Sequence, residues 1–204
     1  MTSLPKNFIT ANIWDTLKKL DPDDVVRRSL AGYTPKDKGY LLGIIGQEYF
    51  VDLEKRVVVK SGVKEEKKAT WELQLLSPIY LINAEKVMLK GEWVSPTELS
   101  GGDLFFAAPA HNLQFNNLIG KLDSPARFLK VGLKLGGKEE SIGDAAFQIP
   151  VLPRIPLLYI YRSGGGEFPN SITVFFDASA EKHLPIDSLW LVIEYSTKRL
   201  LEGI

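Results

Sequence analysis

The chain contains no cysteine. That absence rules out a disulfide framework, thiol catalysis and any cysteine-held zinc or iron–sulfur site within its 204 residues. An excess of charge is missing too: Lys+Arg and Asp+Glu number 25 each, for a formal net charge of zero. A nucleic-acid binder normally carries a basic excess or stripe that displaces counterions from phosphate, so nucleic acid is not expected as a partner. The densest charged run, Lys64-Glu65-Glu66-Lys67-Lys68, mixes both signs and reads as a solvated loop or helix entry. Long apolar runs are absent: none approaches the roughly 20 residues that span a bilayer. The opening Met1-Thr2-Ser3-Leu4-Pro5-Lys6 has no basic region followed by an apolar core, so no signal peptide is read there. The expectation is a soluble cytoplasmic protein with no membrane partner.

Catalytic signatures are equally scarce. There are two histidines, and no serine sits in a Gly-x-Ser-x-Gly elbow, so a Ser–His hydrolase has little material. Ser163-Gly164-Gly165-Gly166 lacks the Lys-Ser/Thr ending of a phosphate loop. It leads to Phe168-Pro169 and a predicted strand, not to a helix N-terminus, and reads as a hairpin turn. Gly136-Gly137-Lys138 reads as a helix stop. With no cofactor fingerprint, no cofactor is expected.

What is present is the material of a globular core. Hydrophobic residues make up 45%, and a chain of this length buries roughly 70% of its unfolded surface. Residues 7–20 show helical spacing at Phe8, Ile9, Ile13, Leu17 and Leu20. Asp21-Pro22-Asp23-Asp24 starts a second helix, with Asp21 as cap, expected to end near Gly32. Residues 40–59 read as a three-strand meander. Residues 68–83 are helical, with a kink or break expected near Pro78. Ser95-Pro96-Thr97-Glu98 forms a capping box on a short helix that Gly101-Gly102 ends. Leu104-Phe105-Phe106-Ala107-Ala108 is a buried strand or an association surface. Helices over about 110–122 and from Ser124-Pro125 follow. Then come strands at 145–149, 155–161 and 172–176 and a last helix from Pro185. Trp14, Trp71 and Trp190 fall beside apolar positions of helices and are expected in the core. Strands and helices come in blocks. The expectation is one α+β domain over 1–204, with a largely antiparallel sheet from the meander and the three late strands and with helices around it.

Several motifs in order resemble a bacterial and archaeal family known as a domain of unknown function, number 3786. They are Gly91-Glu92-Trp93-Val94-Ser95 with Glu98-Leu99-Ser100-Gly101-Gly102, Leu135-Gly136-Gly137, and Gly143-Asp144-Ala145-Ala146-Phe147. Leu152-Pro153-Arg154-Ile155-Pro156-Leu157, Glu167-Phe168-Pro169, Phe176-Asp177-Ala178-Ser179-Ala180 and His183-Leu184-Pro185 continue the series. Relatives carry acidic residues just before the Glu-Phe-Pro element, where this chain has three glycines and leaves Glu167 alone. Some relatives are fused to cysteine-rich iron–sulfur segments linked with anaerobic one-carbon metabolism; this chain has none. The resemblance implies no reaction and no catalytic residues.

Residue by residue, the candidates for a ligand site are Asp177, His183, Glu167 and Arg162. Asp177, Glu181 and His183 lie where a buried strand runs into a turn, and could bind a divalent metal or share acid–base work. The weightier reading is structural: Asp177 caps the Ala178–Glu181 turn, and His183 tucks beside Pro185 and bonds backbone. His111, 72 positions away, has no ligand spacing and reads as solvent-facing or backbone-bonded. Arg154 and Arg162 flank one strand, eight apart, and could clamp an anion, though ordinary strand-end arginines are commoner. The favoured function is a non-catalytic module that binds a small molecule or a protein. The alternatives are an enzyme using Asp177 and His183 and a structural component of an oligomer. The sequence leaves the oligomeric state open.

Overall fold

Asp21 accepts a hydrogen bond from the Asp23 N–H, and Pro22 occupies the first helical position, so helix α2 (Pro22–Ser29) starts as its sequence dictates. The computed structural model describes residues 6–63, 65–111, 113, 115–165 and 168–203. Helix α1 (Lys6–Lys19) precedes α2. The second helix ends three residues before Gly32, because Leu30 takes the left-handed conformation (φ 60°) and its N–H closes on the Val26 carbonyl. The chain gained there forms an extra strand, β1 (Gly32–Thr34), ahead of β2 (Gly39–Ile44), β3 (Gln47–Asp52) and β4 (Val57–Lys60). The meander is therefore four-stranded, in the order β1-β2-β3-β4.

Helix α3 (Trp71–Asn83) runs on through Pro78 as one helix. After β5 (Trp93–Val94), Ser95 and Glu98 form the expected capping box around a single 3₁₀ turn, Pro96–Glu98. Gly101-Gly102 begins a helix instead of ending one. Gly101 has φ 71°, and a Cβ on Gly102 would lie 2.1 Å from the Pro96 carbonyl oxygen. The apolar run that follows is α4 (Gly102–Ala107), not a strand: Phe106 is buried and Leu104 is exposed. Helices α5 (Asn116–Lys121) and α6 (Pro125–Lys134) lead to β6 (Lys138–Glu140). The predicted late strands appear as β7 (Ala145–Leu152), β8 (Ile155–Arg162) and β9 (Ser171–Asp177). Helix α7 (Ile186–Glu202) closes the chain.

The strands separate into two antiparallel sheets, the meander and a five-stranded sheet in the order β5-β9-β8-β7-β6. The Ile45 N–H donates to the Val151 carbonyl at 3.2 Å and ties one sheet to the other. Alternation sends Phe147, Ile149, Tyr159, Tyr161, Ile172 and Val174 to one face of the larger sheet. There they join residues of the meander, α3 and α7 in one continuous core. Ala146, Leu158 and Ile160 form a smaller cluster on the other face, flanked by Trp93 and Phe175. The result is a single α+β domain. Trp14 is in the core, but Trp71, the first residue of α3, is 59% exposed.

Candidate functional site

Asp177 ends β9 and is almost fully buried. Its Oδ1 accepts from the Ser179 N–H (2.9 Å), the Ser179 hydroxyl (2.6 Å) and the Lys90 N–H (3.0 Å), and its Oδ2 from the Gly91 N–H (2.7 Å). Burial alone would raise its pKa, but these four donors hold the carboxyl below the ordinary aspartate value. Asp177 thus caps its turn and also fastens the segment after α3. His183, in the following turn, is fully buried. Its Nδ1 accepts from the Glu85 N–H at 3.3 Å, which leaves the ring proton on Nε2, and Nε2 has no acceptor among the described residues. Burial pushes this imidazole down to about 4, and the nearby Arg154 guanidinium adds to the shift. Glu181 accepts from the Ser100 N–H at 2.7 Å.

Arg154 is not an ordinary strand-end arginine. It is 9% exposed; its Nε donates to the Arg28 carbonyl, its Nη1 to the Val87 carbonyl at 2.7 Å, and its Nη2 to the Arg27 carbonyl at 3.5 Å. It therefore clamps the last turn of α2 to the loop after α3. Arg162, at the other end of β8, is exposed and among the described residues reaches the Thr173 hydroxyl, at 3.5 Å. Because Arg162 pairs with Ser171, it lies about 20 Å along the sheet from Asp177. Glu167 lies outside the described residues. Asp177 and His183 therefore share one buried, largely backbone-bonded knot, and Arg162 does not join them. Among the described residues, no group of three or more His, Asp or Glu side chains gathers as metal ligands.

Among the described residues, the Nδ1 of His111 is buried and has no hydrogen-bond partner. The residue as a whole is half-buried, stacked on Phe105 (3.9 Å between centroids, 2° between planes) and edge-on to Trp190 at 5.3 Å. The His111 ring thus has two aromatic partners in the fold, which no local spacing announces.

The polar groups that converge on open space lie elsewhere. A cleft of about 190 Å³ sits between the meander and the end of α7. It is lined by Lys60, Lys67, Lys68, Lys198 and Arg199, with Tyr49 and Tyr195 among its walls and Glu202 as the one carboxylate. Three elements build it. On α7, Tyr195, Lys198, Arg199 and Glu202 recur at helical spacing and share one face. Strand β4 supplies Lys60. The segment after it folds back against β4, with the Lys60 N–H donating to the Lys67 carbonyl (2.9 Å), the Ala69 N–H donating to the Val58 carbonyl (2.9 Å) and Lys68 bridging Val59.

Lys198 pairs with Glu72 at 3.3 Å. Burial pushes the Glu72 carboxyl up, but hydrogen bonds from Thr70 and its own backbone, with the Lys198 charge, bring it below the ordinary value. Arg199 Nε is buried; it sits 3.5 Å from a Glu202 oxygen but makes no well-aligned hydrogen bond among the described residues. The Tyr49 and Tyr195 hydroxyls lie 3.4 Å apart, and burial raises Tyr195 far above an ordinary phenol, so it stays a neutral donor. Lys198 and Arg199 also answer the negative end of the α7 dipole. Lys60, Lys67 and Lys68 have no such duty, and they make no ion pair among the described residues.

The sequence reading missed this cleft. Lys67 and Lys68 belong to the mixed-sign run, but its charges part company in the fold: Glu66 turns to Lys55 at 3.0 Å, while the two lysines line the cleft. The complementary cations stand some 130 positions later, beyond the reach of any local pattern.

Fold and site together define a single α+β domain in which Asp177 and His183 sit in a buried, backbone-bonded knot and cations gather around a separate cleft. The chain belongs to the family described as a domain of unknown function (DUF3786), whose model matches residues 21–199. No curated protein and no solved structure matches it. No helix among the described residues is long and apolar enough to cross a membrane.

Proposed function

We propose that this protein is a non-catalytic binding module for a small anionic molecule, one carrying phosphate or carboxylate groups, held in the cleft between β4 and α7. The observation that carries the reading is the convergence of five cations on one cleft, against one carboxylate among the described residues, in a chain whose net charge is zero. The lysines supply point charges, Arg199 a planar donor set, and Thr70, Gln47 and the tyrosines neutral hydrogen bonds. No paired acid and base stands in the cleft, which favours binding over turnover. The volume suits one or two anionic groups and not a whole nucleotide.

Partly exposed ion pairs contribute about 0.5–1 kcal/mol each. Five of them sum to about 2.5–5 kcal/mol, which corresponds to dissociation constants of roughly 0.2 to 15 mM at low salt. Isothermal titration with inorganic phosphate, pyrophosphate and citrate tests this. The expected result is binding of at least one anion that weakens as salt rises, and about tenfold or more in the Lys60→Gln, Lys68→Gln double variant. No binding to the native protein at low salt, or the same affinity in the variant, contradicts the reading.

A further inference from the structure

Lys198 serves two places at once. It lines the basic cleft, and its ammonium pairs with Oε1 of Glu72 at 3.3 Å. Glu72 stands in the first turn of α3, is 6% exposed and is not among the residues lining the cleft. A carboxylate withdrawn from water this far keeps its charge only through its neighbours, and here those are Thr70, its own backbone N–H and Lys198. Glu194 lies four residues before Lys198 on α7, so the two are neighbours on the helix surface. Glu194 is exposed along its side, yet partial burial of its carboxyl and the facing Glu72 charge hold it above the ordinary glutamate value. Two like charges therefore sit together, and the Lys198 charge offsets their repulsion.

The other charged groups around this pair are accounted for element by element. The Tyr159 hydroxyl of β8 feels Glu194 and stays neutral, pushed up to about 12 chiefly by burial. Strand β4 and the segment after it bring lysines to the cleft, and α7 adds Arg199 and Glu202 there. On α1, Asp15 pairs with Arg56 and Lys18 with Glu54. Arg28 of α2 binds carbonyls at the far end of α3, and Glu181, in the turn before α7, accepts from the Ser100 N–H. Lys121 ends α5 and is exposed.

We propose that the cleft takes up its anion together with a proton: Lys198 turns from Glu72 to the guest, and the Glu72–Glu194 pair binds the proton from solvent. This rests on the cleft being an anion site, as set out above. The lysine stem is flexible and its end is 46% exposed, so the ammonium can turn. Once it does, Glu72 faces Glu194 without its cation, and two adjacent carboxylates of which one is buried do not both stay charged. The proton belongs to the pair, not to one member of it. By reciprocity, whatever makes the anion raise the pair's proton affinity makes a proton raise the cleft's anion affinity. Water screens a half-exposed lysine, so the gain is about two- to fivefold and not hundreds.

Sulfate is the probe, because its own charge is constant over the range used. Amide shifts give its dissociation constant at pH 7.5 and at pH 5.5, and carboxyl-carbon shifts follow Glu72 and Glu194 with and without it. The expected result is that sulfate binds about two- to fivefold tighter at the lower pH and that saturating sulfate moves the pair's titration to higher pH. Glu194→Gln is expected to lose more than about half of the gain. In the free Lys198→Met variant the pair is expected to titrate at higher pH from the outset. Equal affinity at both pH values, or a carboxyl titration that sulfate does not move, overturns the coupling and leaves the anion site standing. An undiminished gain in Glu194→Gln also overturns it and assigns the effect to other carboxylates. Absence of sulfate binding at either pH overturns it too, and pyrophosphate then tells whether the anion site falls with it. The measurements on native protein decide the matter even where a variant does not fold.

Discussion

His183 is the residue at which the protein's stability meets pH. Its imidazole is buried and neutral, with Nδ1 committed to the Glu85 N–H, and its folded value of about 4 stands well below the ordinary 6.5. Between those two values the unfolded chain binds a proton that the folded chain refuses. Stability therefore falls as pH drops from 6.5 to 4, by about 3 kcal/mol in total, and this contribution is intact above pH 6.5. Urea unfolding at a series of pH values checks it. The native protein is expected to lose stability across that window, and His183→Gln is expected to show a flatter profile there. Equal slopes in the two proteins contradict the assignment. The same residue shows what one-dimensional reading can reach. The expected backbone bond at His183 and the cap at Asp177 are both present, because a strand-end Asp followed by small residues has few other uses. The clamp made by Arg154 is invisible in one dimension, because its acceptors are main-chain carbonyls more than 60 positions away.

At the scale of elements, local signals served wherever they were long or chemically specific. The Asp21-Pro22 start, the Ser95/Glu98 capping box, β7 to β9 and α7 all carry such signals. Strands β1, β5 and β6 are only two or three residues long and have no alternation to display; they exist because a neighbouring strand offers an edge. Leu104–Ala108 is apolar without a clear period, and it became a helix because Gly101-Gly102 lets the chain turn tightly against Pro96. Gly101-Gly102 read as a stop for the same reason that it works as a start: both uses need a backbone without Cβ.

The end of α2 is a case where the element tolerates its sequence. Leu30 holds φ 60° with a side chain that is 57% exposed, so it carries left-handed strain with little burial in return. Leu30→Gly is expected to stabilise the protein by roughly 0.5–1 kcal/mol, the relieved strain exceeding the entropy that glycine adds to the unfolded chain. Thermal unfolding measures it. Destabilisation by the substitution would mean that the exposed side chain packs on its neighbours more than its exposure indicates.

At the scale of the whole molecule, the sheets and helices of the described residues leave several clefts at the surface. One is the basic cleft where the meander meets the end of α7, and another lies beside β9. The buried knot of Asp177, His183 and Arg154 lines neither one; it holds together the loops that carry β5 and the turn after it. Another basic surface, formed by Arg127, Lys130 and Lys134 on α6, provides an internal control for charge alone. Arg127 there is paired with Asp123, and Lys134 donates to the Gly203 carbonyl. A nuclear magnetic resonance titration with pyrophosphate separates the two surfaces in one experiment. The predicted result is saturable amide shifts centred on Lys60, Lys68, Thr70 and Arg199, with Arg127 and Lys130 unmoved. Shifts centred on α6, or spread over both surfaces without saturation, would contradict the account.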